Sequence, residues 1–144
     1  MSVFLEKERL LITGDAAGLY YLGFNFPIPA TPPPGFDEEQ YVKSLTKFMN
    51  MNPAALLLPH FGLVPENVRV FLETNVETIR RWTSIAAETV KAGSSLGRIF
   101  EFFMADVVDR SGRAREEMPD HLVRSIKLSA MGRYTCAQEK VSKR

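Results

Sequence analysis

The feature that most constrains this chain is a change in its hydrophobic period near Gly62. Before that point apolar residues come in short, β-rich runs separated by turn residues, and after it they recur at the three-to-four-residue spacing of amphipathic helices. Ser2-Val-Phe-Leu5 and Arg9-Leu-Leu-Ile-Thr13 flank the charged Glu6-Lys-Glu8 and predict a hairpin. The second run stops at Gly14-Asp15. A long connector from Tyr20 to Gly35 follows, with Pro27, Pro29 and the run Pro32-Pro33-Pro34. Because proline lacks an N–H donor and favours extended backbone, this stretch is expected to form an ordered or semi-rigid surface loop.

A helix start with nearly complete capping signals comes next. Asp37 can cap it, Gln40 occupies the reciprocal capping-box position, and Phe36 with Tyr41 can form a hydrophobic staple. Tyr41, Leu45, Phe48 and Met49 then share one face, until Asn52-Pro53 ends the helix. Ala54 to Leu58 is short, wholly apolar and bounded by prolines, which suits a buried strand, although a helical turn has the same period. It leads into Pro59-His60-Phe61-Gly62.

The second part is helical. Pro65 suits a first helical position, and Val68, Phe71, Leu72, Ile79, Trp82, Ala86 and Val90 recur at helical spacing as far as Gly93. Glu77 and Arg81 form a surface pair four residues apart, worth about 0.3 kcal/mol and without functional weight. Leu96, Ile99, Phe100, Phe103 and Val107 define a second helix, broken by the polar stretch Asp109–Glu117. Pro119 opens a last one, with Leu122, Val123, Ile126, Ala130 and Tyr134 on one face. No internal repeat is visible. At 144 residues the chain is the size of one domain, with a strand-and-loop part at 1–62 and a helical part at 63–144.

Composition removes several function classes. Eighteen Lys+Arg against seventeen Asp+Glu leave a net charge of +1, which gives no electrostatic footprint for nucleic acid. No apolar run is long enough to cross a bilayer, and no secretory signal is visible. The single Cys136 excludes an internal disulfide framework and a cysteine-rich zinc site, and it fits a cytoplasmic location. Phosphate-binding and dinucleotide-binding glycine loops, the nucleophile elbow and Cys-x-x-Cys pairs are all absent.

Two polar residues then stand out, each placed directly after a strongly apolar run. Asp15 follows Leu10-Leu-Ile-Thr-Gly14, and His60 follows Leu56-Leu-Leu-Pro59. Residues at the C-terminal ends of buried strands face the crevice where α/β proteins bind ligands, and a carboxylate and an imidazole are both good ligands for a divalent metal. The plainer readings are a Gly-Asp turn and a structural histidine.

The wording around these residues resembles the metallo-β-lactamase superfamily of metallohydrolases. The resemblance rests on Leu10-Leu-Ile-Thr-Gly-Asp-Ala-Ala-Gly18 and Leu56-Leu-Leu-Pro-His-Phe-Gly62, joined across the proline-rich loop, and the helical tail is similar to the C-terminal extension of a subgroup. It implies an α/β fold corresponding to the C-terminal half of an αβ/βα sandwich, with few strands and a helix-rich C-terminal region. It also implies that Asp15 is a metal-bridging aspartate and that His60 is the last histidine ligand. The cofactor implied is a divalent metal, zinc first, with iron or manganese as alternatives.

The superfamily's His-x-His-x-Asp-His element has no counterpart here, since His60 and His121 are the only histidines. His121 opens the last helix and Cys136 lies near the C-terminus, positions that suit a solvated imidazole and an incidental thiol. Asp15 and His60 are therefore two ligands where catalytic zinc takes three plus water. The expectation is a truncated metallohydrolase chain, beginning at what would be an internal methionine of a full-length relative and inactive alone. A lone half leaves an apolar sheet face and open strand edges. The expected partner is a second copy, through that sheet or the phenylalanine-rich helix, or a chain supplying the N-terminal half. The alternative is a non-catalytic, self-associating interaction module. The aromatics Tyr20, Tyr21, Phe24 and Phe26 are expected to pack, with a substrate pocket as the second reading. Phe100, Phe102, Phe103 and Met104 offer core or an interface.

Overall fold

A computed structural model describes residues 2–34, 36–58, 62–64 and 67–142. The chain is a mixed α/β protein. Its strands are β1 (Val3–Leu5), β2 (Leu10–Ile12), β3 (Ala55–Leu58) and β4 (Gly62–Val64), and its helices are α1 (Glu38–Asn50), α2 (Val68–Lys91), α3 (Leu96–Ser111) and α4 (Asp120–Ser142). Residues 1–30 and 37–79 form one compact unit, and residues 31–36 and 80–144 form another. Helix α2 contributes to both.

The first unit holds a four-stranded sheet in the order β1-β2-β3-β4. β1 and β2 form the expected antiparallel hairpin, with Val3 opposite Ile12 and Leu5 opposite Leu10. β3 runs parallel to β2, which requires a crossover, and that connection contains α1. β4 returns antiparallel to β3, with Leu63 opposite Leu57. The sequence reading places no strand here: three residues are too few to show a period. Pro59, His60, Phe61 and Pro65 lie outside the described residues.

The pleat sorts the sheet into two faces. Leu11, Leu56, Leu58 and Val64 are buried on one. On the other, the register aligns Val3, Ile12, Leu57 and Leu63 in one row across all four strands. Of these, Val3 is 43%, Leu57 36% and Leu63 48% exposed, and Leu5 beside them is 38% exposed. A row built only of aliphatic side chains is thus left open.

Helix α1 starts at the expected cap, with Asp37 Oδ1 accepting from the Gln40 amide at 3.1 Å, and it buries Tyr41, Leu45 and Phe48. The connector is ordered, but much of it is not surface. Leu19 and Ile28 exchange backbone hydrogen bonds of 2.8 and 3.0 Å, closing a loop in which Tyr21, Phe24 and Phe26 are buried. Their rings pack edge-to-face, at 6.2 Å for Tyr21–Phe24 and 5.9 Å for Phe24–Phe26. Burying three aromatic rings outweighs the tendency of a proline-rich loop to stay solvated.

The second unit is helical. Fully buried Trp82 on α2 stacks on Phe103 of α3, with ring centroids 4.0 Å apart and 12° between planes. Its Nε1–H donates to Asp106 Oδ2 at 2.9 Å. Arg81, paired with Glu77 in the sequence reading, donates to Asp106 Oδ1. Ile99, Phe103, Met104 and Val107 of α3 are buried and Phe102 is 40% exposed. Gly112 (φ 65°) ends α3 in the left-handed conformation that this residue adopts without strain.

Helix α4 buries Leu122, Ile126 and Ala130 as expected, and with them Ser129, Gly132 and Arg133. The reason is the segment Thr31–Phe36 of the same unit. Thr31 donates its amide to Ser129 Oγ at 3.3 Å and its hydroxyl to the Ser129 carbonyl at 3.1 Å. The Arg133 guanidinium lies 4.0 Å from the centroid of the Phe36 ring.

Candidate functional site

The parallel pairing of β2 with β3 is what gives the first unit a candidate site. Two parallel strands end at the same sheet edge, and the register Ile12 opposite Leu57 puts both C-termini there. The Thr13 amide extends the pairing by donating to the Leu57 carbonyl at 3.2 Å. The chain then turns through a single 3₁₀ turn, Gly14–Ala17, which carries the exposed Asp15. The C-terminal end of β3, at Leu58, precedes His60 by two residues, and His60 lies outside the described residues.

Buried polar contacts hold this turn. The Gly18 amide donates to the Asp15 carbonyl at 3.0 Å. Asn75, fully buried on α2, donates Nδ2–H to the Ala17 carbonyl at 2.7 Å and accepts from the Tyr41 hydroxyl of α1 at 3.3 Å. Gly18 (φ 79°) passes close beneath: a Cβ there would stand 2.7 Å from the Ile28 carbonyl and 3.0 Å from Asn75 Nδ2. Asp15 is therefore presented by a turn anchored to two helices and a neighbouring loop.

Asn75, Tyr41 and Gly18 were not singled out from sequence as parts of a site. The available signal was Asn75 itself, a polar residue inside the apolar stripe between Leu72 and Ile79. Such residues are retained where a buried backbone group needs a partner. Asn75→Ala leaves the Ala17 carbonyl without this donor and is expected to cost about 1–3 kcal/mol. Tyr41→Phe, which removes one neutral hydrogen bond, should cost about 0.5–1.5 kcal/mol. Urea denaturation of the two variants checks both values, and equal, negligible losses would mean that Asn75 is not an anchor.

Metal chemistry requires more than one carboxylate. Among the described residues no group of three or more His, Cys, Asp or Glu side chains is placed to hold a metal ion. His121 is exposed on α4 and Cys136 is half-buried there, both in the second unit. A catalytic zinc site takes three protein ligands and a structural one four, so the described donors do not fit a complete metal centre. A titration shift belongs to a surface ion pair of the second unit: Arg115 hydrogen-bonds to Glu101 and holds its carboxyl below the usual range. Among the described residues no helix is long and apolar enough to cross a membrane.

No family model matches the chain. Over 68 residues it is 35% identical to the Metallo-beta-lactamase fold-containing protein ST1585 of Sulfurisphaera tokodaii. The matched stretch is 47% of this chain and 24% of that protein, so the chain spans about a quarter of the length of the curated relative. This similarity, over part of the chain, points to the metallo-β-lactamase superfamily, and the α/β architecture is compatible with it.

Proposed function

We propose that the chain is a metallo-β-lactamase-like metallohydrolase half, with Asp15 and His60 as a residual pair of metal ligands and no hydrolytic activity of its own. The observation that carries this reading is the parallel β2–β3 pairing, which brings the strand end before Asp15 and the strand end before His60 to one edge. The similarity to a metallo-β-lactamase-fold protein supports the same reading. A carboxylate and an imidazole suit zinc, with iron and manganese as alternatives. Activity would require further ligands from a second sheet.

The open aliphatic row Val3, Ile12, Leu57 and Leu63 supports the need for such a second layer. The partner we assign to it is a chain of N-terminal-half type, because the His-x-His-x-Asp-His element that would complete the ligand set has no counterpart in this chain. A homodimer over the same face is the alternative, and it would make the chain a self-associating module without catalysis.

Zinc titration followed by elemental analysis tests the ligand pair. The wild-type chain is expected to take up zinc weakly, and Asp15→Ala and His60→Ala should each weaken uptake by at least about tenfold. Identical uptake by all three proteins, or none by the wild type, would remove the metal reading. Light scattering in the same samples separates the partner readings: a mass of two chains at micromolar concentration supports the homodimer, and a mass of one chain counts against it.

A further inference from the structure

The second unit holds a cleft of about 330 Å³ between the last turns of α2 and the first turns of α3. This volume lies at the lower end of the range of small-molecule sites. The turn joining the two helices is fixed by backbone bonds. The Gly93 amide donates to the Val90 carbonyl at 2.9 Å and the Ser94 amide to the Thr89 carbonyl at 3.0 Å, with Gly93 at φ 69°. Together these make a Schellman motif, which sets where α3 can start. The Trp82–Phe103 stack holds the same two helices against each other.

Apolar surface in the cleft comes from Ile85, Ala92 and the Phe102 ring, which is 40% exposed. One charge of each sign lines it as well, Glu88 from α2 and Arg98 from α3. Each is steadied within its own helix. The Glu88 carboxylate accepts from Ser84 Oγ at 3.1 Å, and the Arg98 guanidinium lies 4.8 Å from the centroid of the Phe102 ring. A ring contact of that kind orders the guanidinium while leaving its N–H donors able to bind a carboxylate.

Both charges also sit at helix ends that disfavour them. Glu88 is in the last turn of α2, where a cation is favoured, and Arg98 is in the first turn of α3, where an anion is favoured. Lys91, the basic residue of that last turn, lines a different groove with Ala137 and Lys140. A ligand bearing the opposite pair of charges is matched at both ends. Its ammonium meets Glu88 at the end of α2, and its carboxylate meets Arg98 at the start of α3.

We propose that this cleft binds a small zwitterion with an apolar group, the chemistry of a free α-amino acid. The carboxylate pairs with Arg98, the ammonium pairs with Glu88, and the apolar side chain lies against Phe102 and Ile85.

L-phenylalanine is a suitable probe, titrated into the ¹⁵N-labelled chain and followed by amide chemical shifts. Saturable shifts centred on Ile85–Phe102, with a Kd in the millimolar range, are expected for a ligand of this size. L-phenylalaninamide and N-acetyl-L-phenylalanine keep the side chain and one charge each, as the two ends of a peptide do. Both should bind at least about threefold more weakly, the worth of one exposed ion pair. Glu88 and Arg98 are exposed, so neutral variants keep the fold. Glu88→Gln should bind phenylalanine and N-acetylphenylalanine equally, and Arg98→Gln should bind phenylalanine and phenylalaninamide equally. The proposal is overturned by an absence of saturable shifts up to about 20 mM, well above the affinity expected. Shifts centred elsewhere, singly charged analogues that bind as tightly as phenylalanine, or variants that retain the full preference would overturn it too.

Discussion

Replacing Gly132 with alanine should cost at least about 3 kcal/mol, even though alanine is the better helix former. Glycine inside a helix is normally about 1 kcal/mol worse than alanine, so on propensity alone the substitution would stabilise α4. The neighbouring backbone reverses the sign. A Cβ on Gly132 would stand 2.0 Å from the Thr31 carbonyl oxygen and 3.0 Å from the Pro32 carbonyl carbon. Neither is the movable end of a side chain, and the Thr31 backbone is tied to Ser129 through both its amide and its hydroxyl. Relief requires the Thr31–Phe36 segment to leave the helix, with loss of those bonds and of the Phe36–Arg133 stacking. A fall in Tm of about 10 °C or more is expected. Ser129→Ala, which removes the hydroxyl without adding bulk, should cost only about 1 kcal/mol. A Gly132→Ala protein as stable as the wild type, or more so, would show that the loop does not lie on this helix.

Gly18→Ala should be comparably damaging, at about 3–5 kcal/mol, for two reasons that add. Its backbone angles, φ 79° and ψ −160°, lie in a region that is essentially reserved for glycine and costs other residues about 1–3 kcal/mol. The added Cβ would also press to 2.7 Å from the Ile28 carbonyl, which is held in its pairing with Leu19. Gly112 separates the two causes. It too has positive φ, at 65°, but a Cβ there would meet nothing within 4 Å, so Gly112→Ala should cost only about 1 kcal/mol. Chemical denaturation of both variants tests the difference. If they were equally mild, the close packing beneath the Asp15 turn would be refuted. Because Gly18 closes that turn, Gly18→Ala should also weaken any zinc uptake that depends on Asp15.

The elements that sequence reading places well are those whose signals are local. The Asp37–Gln40 cap, the proline before α4, Gly93 after α2 and the apolar stripes of the helices act within a turn or two of chain. The β1–β2 hairpin is similarly short-ranged. β4 escaped because a three-residue strand has no measurable period and exists only by pairing with β3. The connector was expected at the surface from its prolines but its aromatics were expected to pack, and Tyr21, Phe24 and Phe26 are buried. The candidate site was legible in part: Asp15 was singled out as a residue after a strand, while the contacts that hold its turn were not.

By itself the amino-acid sequence determined the mixed α/β class, most helix boundaries, the near-neutral charge and the scarcity of histidine, since each depends on composition or on neighbours in the chain. Only the tertiary structure decided that β2 and β3 run parallel and end at one edge. It also decided that Asn75 anchors the Asp15 turn, and that Ser129, Gly132 and Arg133 turn inward. The physical reason is separation along the chain. Thr31 and Ser129 are 98 residues apart and Asn75 and Ala17 are 58 apart, so the hydrogen bonds that settle these positions leave no periodic trace in the sequence. They exist only once the backbone has brought the partners together.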